Sequence, residues 1–155
     1  YLPRAVRNGQ DMDARLQMLV ASSMGATAFQ RGLGAIHAVS HSVGALYDSH
    51  HGLLNAIMMP YVLQMNRPAI EAEAARAARY LGLPHTDFNG LLDWVLDLRA
   101  ELELPHTLAE IGVDDSRADL IGEMSVKDVT SRTNARQLDA GEYRQLFLNA
   151  LTGKL

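Results

Sequence analysis

Four of the six histidines, His37, His41, His50 and His51, fall within fifteen positions of a chain that has no cysteine. Imidazoles gathered in this way can ligate a metal ion or carry a proton near neutral pH, and without thiolates any metal must be held by histidine or carboxylate. His37 and His41 are four residues apart. On a helix that spacing projects both side chains from one face with Cβ atoms about 5–6 Å apart. Such a pair suits two ligands of one ion, or one ligand beside a proton-handling group. The flanking residues Gly34-Ala35-Ile36 and Ala38-Val39-Ser40 are small and apolar, which leaves room for a cavity. Taken alone, an i,i+4 pair reads first as ordinary helix histidines in a packed interior. His50 and His51 shift that balance, because two more imidazoles begin the next element and Gly52 lets the backbone approach closely there.

Several chemistries are excluded by the residues beside these histidines. A zincin requires Glu directly after the first His of its HExxH motif, and Ala38 follows His37. A ferritin-like di-metal bundle requires Glu three residues before His, which neither His37 nor His41 has. Ser40, His41 and Asp48 supply the residue types of a hydrolase triad, but no Gly-x-Ser-x-Gly turn presents the serine.

The elements that must position the histidines read as helices throughout. Asp11 caps a run in which Leu16, Leu19, Val20, Met24 and Ala28 recur at helical spacing, with Gly32 as the stop. The segment from Gly34 to Leu46 is a buried helix. His51 to Met65 forms a third, which Pro60 should kink or divide, and Pro68 should open a fourth that runs to Leu81 and stops at Gly82. Thr86 or Asp87 caps a helix whose core face is Phe88, Leu91, Leu92, Val95 and Leu98. Thr107 caps a short turn ending at Gly112, Asp114 or Asp115 caps a helix with Leu120 and Ile121, and Asp139 caps a last one carrying Tyr143, Leu146, Phe147 and Ala150. The fold class is all-α, with seven to nine helices. Val62-Leu63 is the one strand-like run, and it is too short to distinguish from buried helix.

Composition fits one domain of 155 residues, about half of them apolar. Fourteen basic residues against eighteen acidic ones give a net charge of −4, mixed along the chain, so no electrostatic footprint for nucleic acid is present. No apolar run approaches the roughly 20 residues of a membrane span. The expectation is a cytoplasmic protein with neither nucleic-acid nor membrane partners. The first residues, Tyr1-Leu2-Pro3, read as the end of an element begun upstream, so the chain is expected to be a fragment.

The run Gly32-Leu33-Gly34-Ala35-Ile36-His37-Ala38-Val39-Ser40-His41-Ser42-Val43-Gly44-Ala45, with Tyr47-Asp48-Ser49-His50-His51-Gly52-Leu53-Leu54-Asn55-Ala56 and Met59-Pro60, resembles the iron-containing (group III) alcohol dehydrogenases. The match combines His-x-x-x-His, a His-Gly fourteen residues after the first histidine, the Asn-Ala pair and the following Pro. Weaker agreement runs from Leu2-Pro3 and Asp11 to Leu108, Gly112 and Thr133-Asn134-Ala135-Arg136. Ser42, His50 and Ala135 stand where the family frequently has Pro.

The resemblance implies the all-helical C-terminal domain of a two-domain dehydrogenase of the dehydroquinate synthase-like superfamily, here spanning 1–155, with the N-terminal dinucleotide-binding domain absent from the chain. It implies that His37 and His51 are two ligands of a divalent metal, Fe²⁺ or Zn²⁺ or another such ion, and that the remaining Asp and His ligands lie upstream. It gives His41 a place on the substrate and nicotinamide side of the pocket, where it would relay the hydroxyl proton. Spacing alone would pair His37 with His41, and the resemblance instead pairs His37 with His51. The implied activity is reversible NAD- or NADP-dependent oxidation of a primary alcohol to an aldehyde, by an enzyme that is a homo-oligomer when complete. A maleylacetate-reductase-like or hydroxy-acid dehydrogenase on the same scaffold is the alternative, and a non-enzymatic helical interaction domain is the reading from another class. Phe29, Leu53, Leu54 and Trp94 are expected in the core, Asn134 and Arg136 in a solvated loop, and Asp93 and Arg99 on an exposed helix face.

Overall fold

Three of the expected capping carboxylates begin helices in a computed structural model that describes all 155 residues. Asp11 accepts the Ala14 N–H, Asp87 accepts the Gly90 N–H, and Asp139 with Glu142 forms a reciprocal capping box. Seven α-helices result: α1 Leu2–Arg7, α2 Met12–Ala28, α3 Ala35–Tyr47, α4 His51–Tyr80, α5 Phe88–Glu101, α6 Ala118–Lys127 and α7 Ala140–Thr152. Short 3₁₀ turns occupy Phe29–Arg31, Ala109–Ile111 and Val129–Thr133, and no strand is present. The fold is all-α. No helix is long and apolar enough to cross a membrane.

The chain divides into two compact units, Tyr1–Gly32 and Leu33–Leu155. In the first, α1 and α2 are joined at a turn where the Arg4 guanidinium meets both Asp11 and Asp13. Ala14 is the one fully buried residue of α2, while Leu16, Leu19, Val20 and Met24 are exposed.

The second unit is built on a core of Val39, Val43, Leu54, Ile57, Met58, Leu108, Ile121, Tyr143, Leu146 and Phe147, drawn mainly from α3, α4, α6 and α7. A smaller cluster of Ala74, Phe88 and Leu92 fixes α5 to the far part of α4. Helices α6 and α7 approach closely at Gly122, where a Cβ would lie 2.4 Å from the Ala140 carbonyl oxygen.

The division expected at Pro60 does not occur, and Pro68 starts no new helix: α4 runs unbroken for 30 residues through both prolines. Each proline removes one N–H from the helical ladder and crowds the turn before it. The missing N–H would have bonded the carbonyl four residues back, and the next carbonyl along, three residues before each proline, accepts from a buried or half-buried guanidinium. Arg99 Nη1 donates to the Ile57 carbonyl at 3.2 Å, and Arg136 Nε donates to the Met65 carbonyl at 3.2 Å. Neither donor can be inferred from sequence spacing, since they lie 42 and 71 residues away.

This use of arginine corrects two side-chain expectations. Arg99 is 5% exposed rather than solvated, with Nη2 donating to His106 Nδ1 at 3.0 Å. Arg136 is half-buried, paired with Glu142 at 2.7 Å. Trp94 and Phe29, expected in the core, are 39% and 56% exposed, whereas Leu54 is fully buried. Leu120 is also exposed, and α6 begins after Arg117 with no side-chain cap, because Asp114 is engaged instead by Ser116 and by the Tyr47 hydroxyl.

Candidate metal and proton-transfer site

Helix α3 is held at its start by an amide from elsewhere in the fold. Asn134 Oδ1 accepts the Ala35 N–H at 3.1 Å and the Asn66 amide at 2.8 Å, and Asn134 Nδ2 returns a bond to Asn66 Oδ1 at 2.8 Å. The reciprocal pair ties the first turn of α3 to α4. Asn134 is thus a loop residue as expected, but a half-buried one that ties two helices together. At the other end Asp48 adopts the left-handed conformation, φ 52°, and the chain re-enters helix at His51.

That turn brings three imidazoles together. The ring centroids of His37 and His51 are 5.2 Å apart, those of His41 and His51 5.3 Å, and those of His37 and His41 5.8 Å. His50 points elsewhere. As the N-cap of α4 it turns Nδ1 back to accept the Leu53 N–H at 3.3 Å, which accounts for it as a helix-start residue.

Within the cluster the rings differ in their partners. Nε2 of His37 and Nε2 of His51 lie 3.3 and 3.0 Å from the same atom, Asn55 Nδ2, one helical turn after His51. Two ring nitrogens thus converge on one point. Burial, with the neighbouring His51 and His41 adding to it, holds His37 below the usual histidine range, so at neutral pH its ring is uncharged and can present a lone pair. No three carboxylate or imidazole groups of the chain are gathered into a closed metal site.

His41 has a different partner. Its Nδ1 is 2.9 Å from Asp128 Oδ2. Burial raises the Asp128 carboxyl, but the Thr130 hydroxyl and amide, with His41, outweigh it and hold the group below its ordinary value. The carboxylate is therefore an acceptor and His41 Nδ1 carries the proton, which leaves Nε2 as the basic ring nitrogen. Asp128 is itself fixed, since its Oδ1 accepts the Thr130 N–H at 2.8 Å and hydroxyl at 2.6 Å. An imidazole oriented by a carboxylate in this way is arranged to take up and release a proton.

The structure brings together His37, His41 and His51 and separates His50 from them. Sequence reasoning gave no role to Asn55 or Asp128. Asn55 appears in the quoted Asn-Ala pair, so a signal existed for it. For Asp128 the only signal is the Asp-x-Thr pattern of a local cap, which says nothing about a histidine 87 residues away.

Residues 1–151 match the Fe-containing alcohol dehydrogenase family, C-terminal region. The chain is 38% identical to a 4-hydroxybutyrate dehydrogenase from Cupriavidus necator, over 95% of this chain and 40% of that protein. It is 34% identical to an NAD-dependent methanol dehydrogenase from Bacillus methanolicus, over 97% of this chain and 42% of that protein. The crystal structure of a 1,3-propanediol oxidoreductase superposes with a TM-score of 0.91 at 29% identity, covering 97% of this chain and 41% of the other. The chain thus spans about two fifths of the length of these relatives. By sequence and by fold, it belongs to the iron-containing alcohol dehydrogenase family and corresponds to that family's C-terminal helical region.

Proposed function

We propose that this chain is the C-terminal helical portion of a cytoplasmic, metal- and NAD(P)-dependent alcohol dehydrogenase that interconverts a primary alcohol and its aldehyde. The observation that carries the reading is the convergence of His37 and His51 Nε2 on one point within the family-matched segment, with His41 and its carboxylate alongside. The two imidazoles fit half of a four-ligand site for a divalent ion. Imidazole nitrogens that converge on a shared point are the type of donor Fe²⁺ or Zn²⁺ accepts. In this reading the remaining Asp and His, and the dinucleotide site, come from an upstream part of a complete polypeptide, and the 155-residue chain by itself is expected to be inactive.

When bound, the metal would supply Lewis acidity at the substrate oxygen and the nicotinamide would supply the redox equivalent of the reaction. This chain's residues do the rest of the work assigned to this half. His37 and His51 hold the metal position. His41, with Nδ1–H donated to Asp128, accepts the hydroxyl proton at Nε2 as alcohol is oxidised and returns it in the reverse direction. Asp128 keeps the ring in that tautomer and stabilises the imidazolium that forms.

The 38% identity to a 4-hydroxybutyrate dehydrogenase supports a hydroxy acid as the second substrate class. The test is NAD(P)H absorbance with the complete polypeptide, stripped of metal, reconstituted with Fe²⁺ or Zn²⁺, and offered primary alcohols, aldehydes and ω-hydroxy acids. Metal-dependent turnover is expected. Absence of turnover with every metal and both cofactors would instead identify a helical interaction domain with structural histidines.

A further inference from the structure

Asn55 spends its whole donor capacity on the two imidazoles that the proposed function makes metal ligands. Its amide nitrogen has two hydrogens, and its two partners are His51 Nε2 at 3.0 Å and His37 Nε2 at 3.3 Å. The other end of the same amide is left unsatisfied, since Asn55 Oδ1 is buried and has no hydrogen-bond partner. A buried carbonyl without a donor is unfavourable, so the arrangement persists because the two nitrogens hold the amide there. Accepting from Asn55 also fixes each ring. Both histidines must carry their proton on Nδ1 and turn the Nε2 lone pair inward.

The –NH₂ group therefore stands at the point where the lone pairs meet, with the positive polarity a cation would have. We propose that Asn55 is a placeholder for the metal: it keeps His37 and His51 in the ligand tautomer while the position is empty of metal, and it withdraws when the ion enters. Asn55 is a positioning residue in this account and touches no substrate. Its geometry suits the role. It lies one turn beyond His51 on α4, so its amide and the His51 ring share one face of a single helix. Withdrawal also lets Oδ1 leave its unsatisfied position, so departure of the amide relieves the carbonyl.

This inference rests on the ligand assignment above, and the experiment separates the two. Histidine tautomers are read from long-range ¹⁵N–¹H NMR correlations in the metal-free 155-residue chain, with Asn55→Ala and the isosteric Asn55→Asp, after circular dichroism shows each variant helical. The expected result is Nδ1–H for both His37 and His51 in the parent chain, loss of that preference in Asn55→Ala, and inversion to Nε2–H in Asn55→Asp, whose carboxylate can only accept. Zn²⁺ association with the metal-stripped complete polypeptide, followed by stopped-flow competition with a chelating dye, is expected to be at least about fivefold faster in Asn55→Ala because no amide must be displaced. Unchanged tautomers in both variants, or an unchanged association rate, would overturn the placeholder. If His37→Ala and His51→Ala leave metal occupancy intact, the ligand assignment fails instead, whatever the tautomers show.

Discussion

Replacing Asp128 by Ala is expected to destabilise the fold by about 1–3 kcal/mol at neutral pH, and the loss should disappear in acid. The side chain, 18% exposed, accepts three hydrogen bonds. Two cap the 3₁₀ turn Val129–Thr133 through Thr130, and removing an N-cap of this kind costs about 0.5–2 kcal/mol. The third comes from His41, whose side chain is 40% exposed, so the pair is worth only about 0–1 kcal/mol. Thr130 Oγ1 retains the Gly34 carbonyl at 3.4 Å, which keeps the total near that sum. Asp128→Asn preserves an oxygen for the cap and should lose about 1 kcal/mol or less. The pH dependence follows from the depressed carboxyl. A native group that titrates below its ordinary value of 3.8 contributes stability that is complete above that value and is lost as pH falls through the native one. Urea unfolding monitored by circular dichroism should therefore show the Asp128→Ala midpoint lowered by roughly 0.5–1.5 M at pH 7, with the gap to the parent closing below pH 3.8. Equal midpoints at pH 7, or a gap that persists undiminished at about pH 2, would refute the carboxylate's role.

Other substitutions probe separate parts of the fold. Gly90→Ala places a Cβ 1.9 Å from the His85 carbonyl oxygen and should cost at least about 2 kcal/mol in urea unfolding, whereas Gly25→Ala, which meets nothing within 4 Å inside α2, should be neutral or stabilise by up to about 1 kcal/mol. Asn66→Ala breaks the reciprocal amide pair and leaves Asn134 underbonded, an expected loss of about 1–3 kcal/mol by the same assay. Burial pushes the Tyr143 phenol up to about 12, so the native state keeps its proton while the unfolded chain releases one near the ordinary value of 10.0. Stability is thus lost as pH rises from 10 toward 12, and Tyr143→Phe should flatten that loss while changing stability at pH 7 little, because the buried hydroxyl makes no well-formed hydrogen bond and has only the Ser131 side chain near it.

The helices and their starts were legible in the sequence wherever the determinant is local. Asp11, Asp87 and Asp139 cap by bonding to residues three positions on, and the apolar spacing of α7 marks the buried Tyr143, Leu146 and Phe147. The continuity of α4 was not legible. Local rules break a helix at Pro60 and Pro68, whereas α4 runs through both, and the nearby Ile57 and Met65 carbonyls are bonded by Arg99 and Arg136 from other elements. The same division holds at the site. His37 and His41 on one helical face, and the resemblance of the His51-Gly52 run, are local features. The Asp128 carboxylate that orients His41 and the Asn66–Asn134 pair that anchors α3 depend on contacts 87 and 68 residues apart.

The site account divides two adjacent histidines by role: His50 caps α4, and His51 faces His37. The most direct test is to measure bound metal by elemental analysis, together with NAD(P)H-linked turnover, in the complete polypeptide carrying His51→Ala or His50→Ala. The account predicts that His51→Ala loses both metal and turnover, while His50→Ala keeps its metal and turnover and loses only about 1 kcal/mol of stability with its cap. Metal retained by His51→Ala and lost by His50→Ala would contradict it.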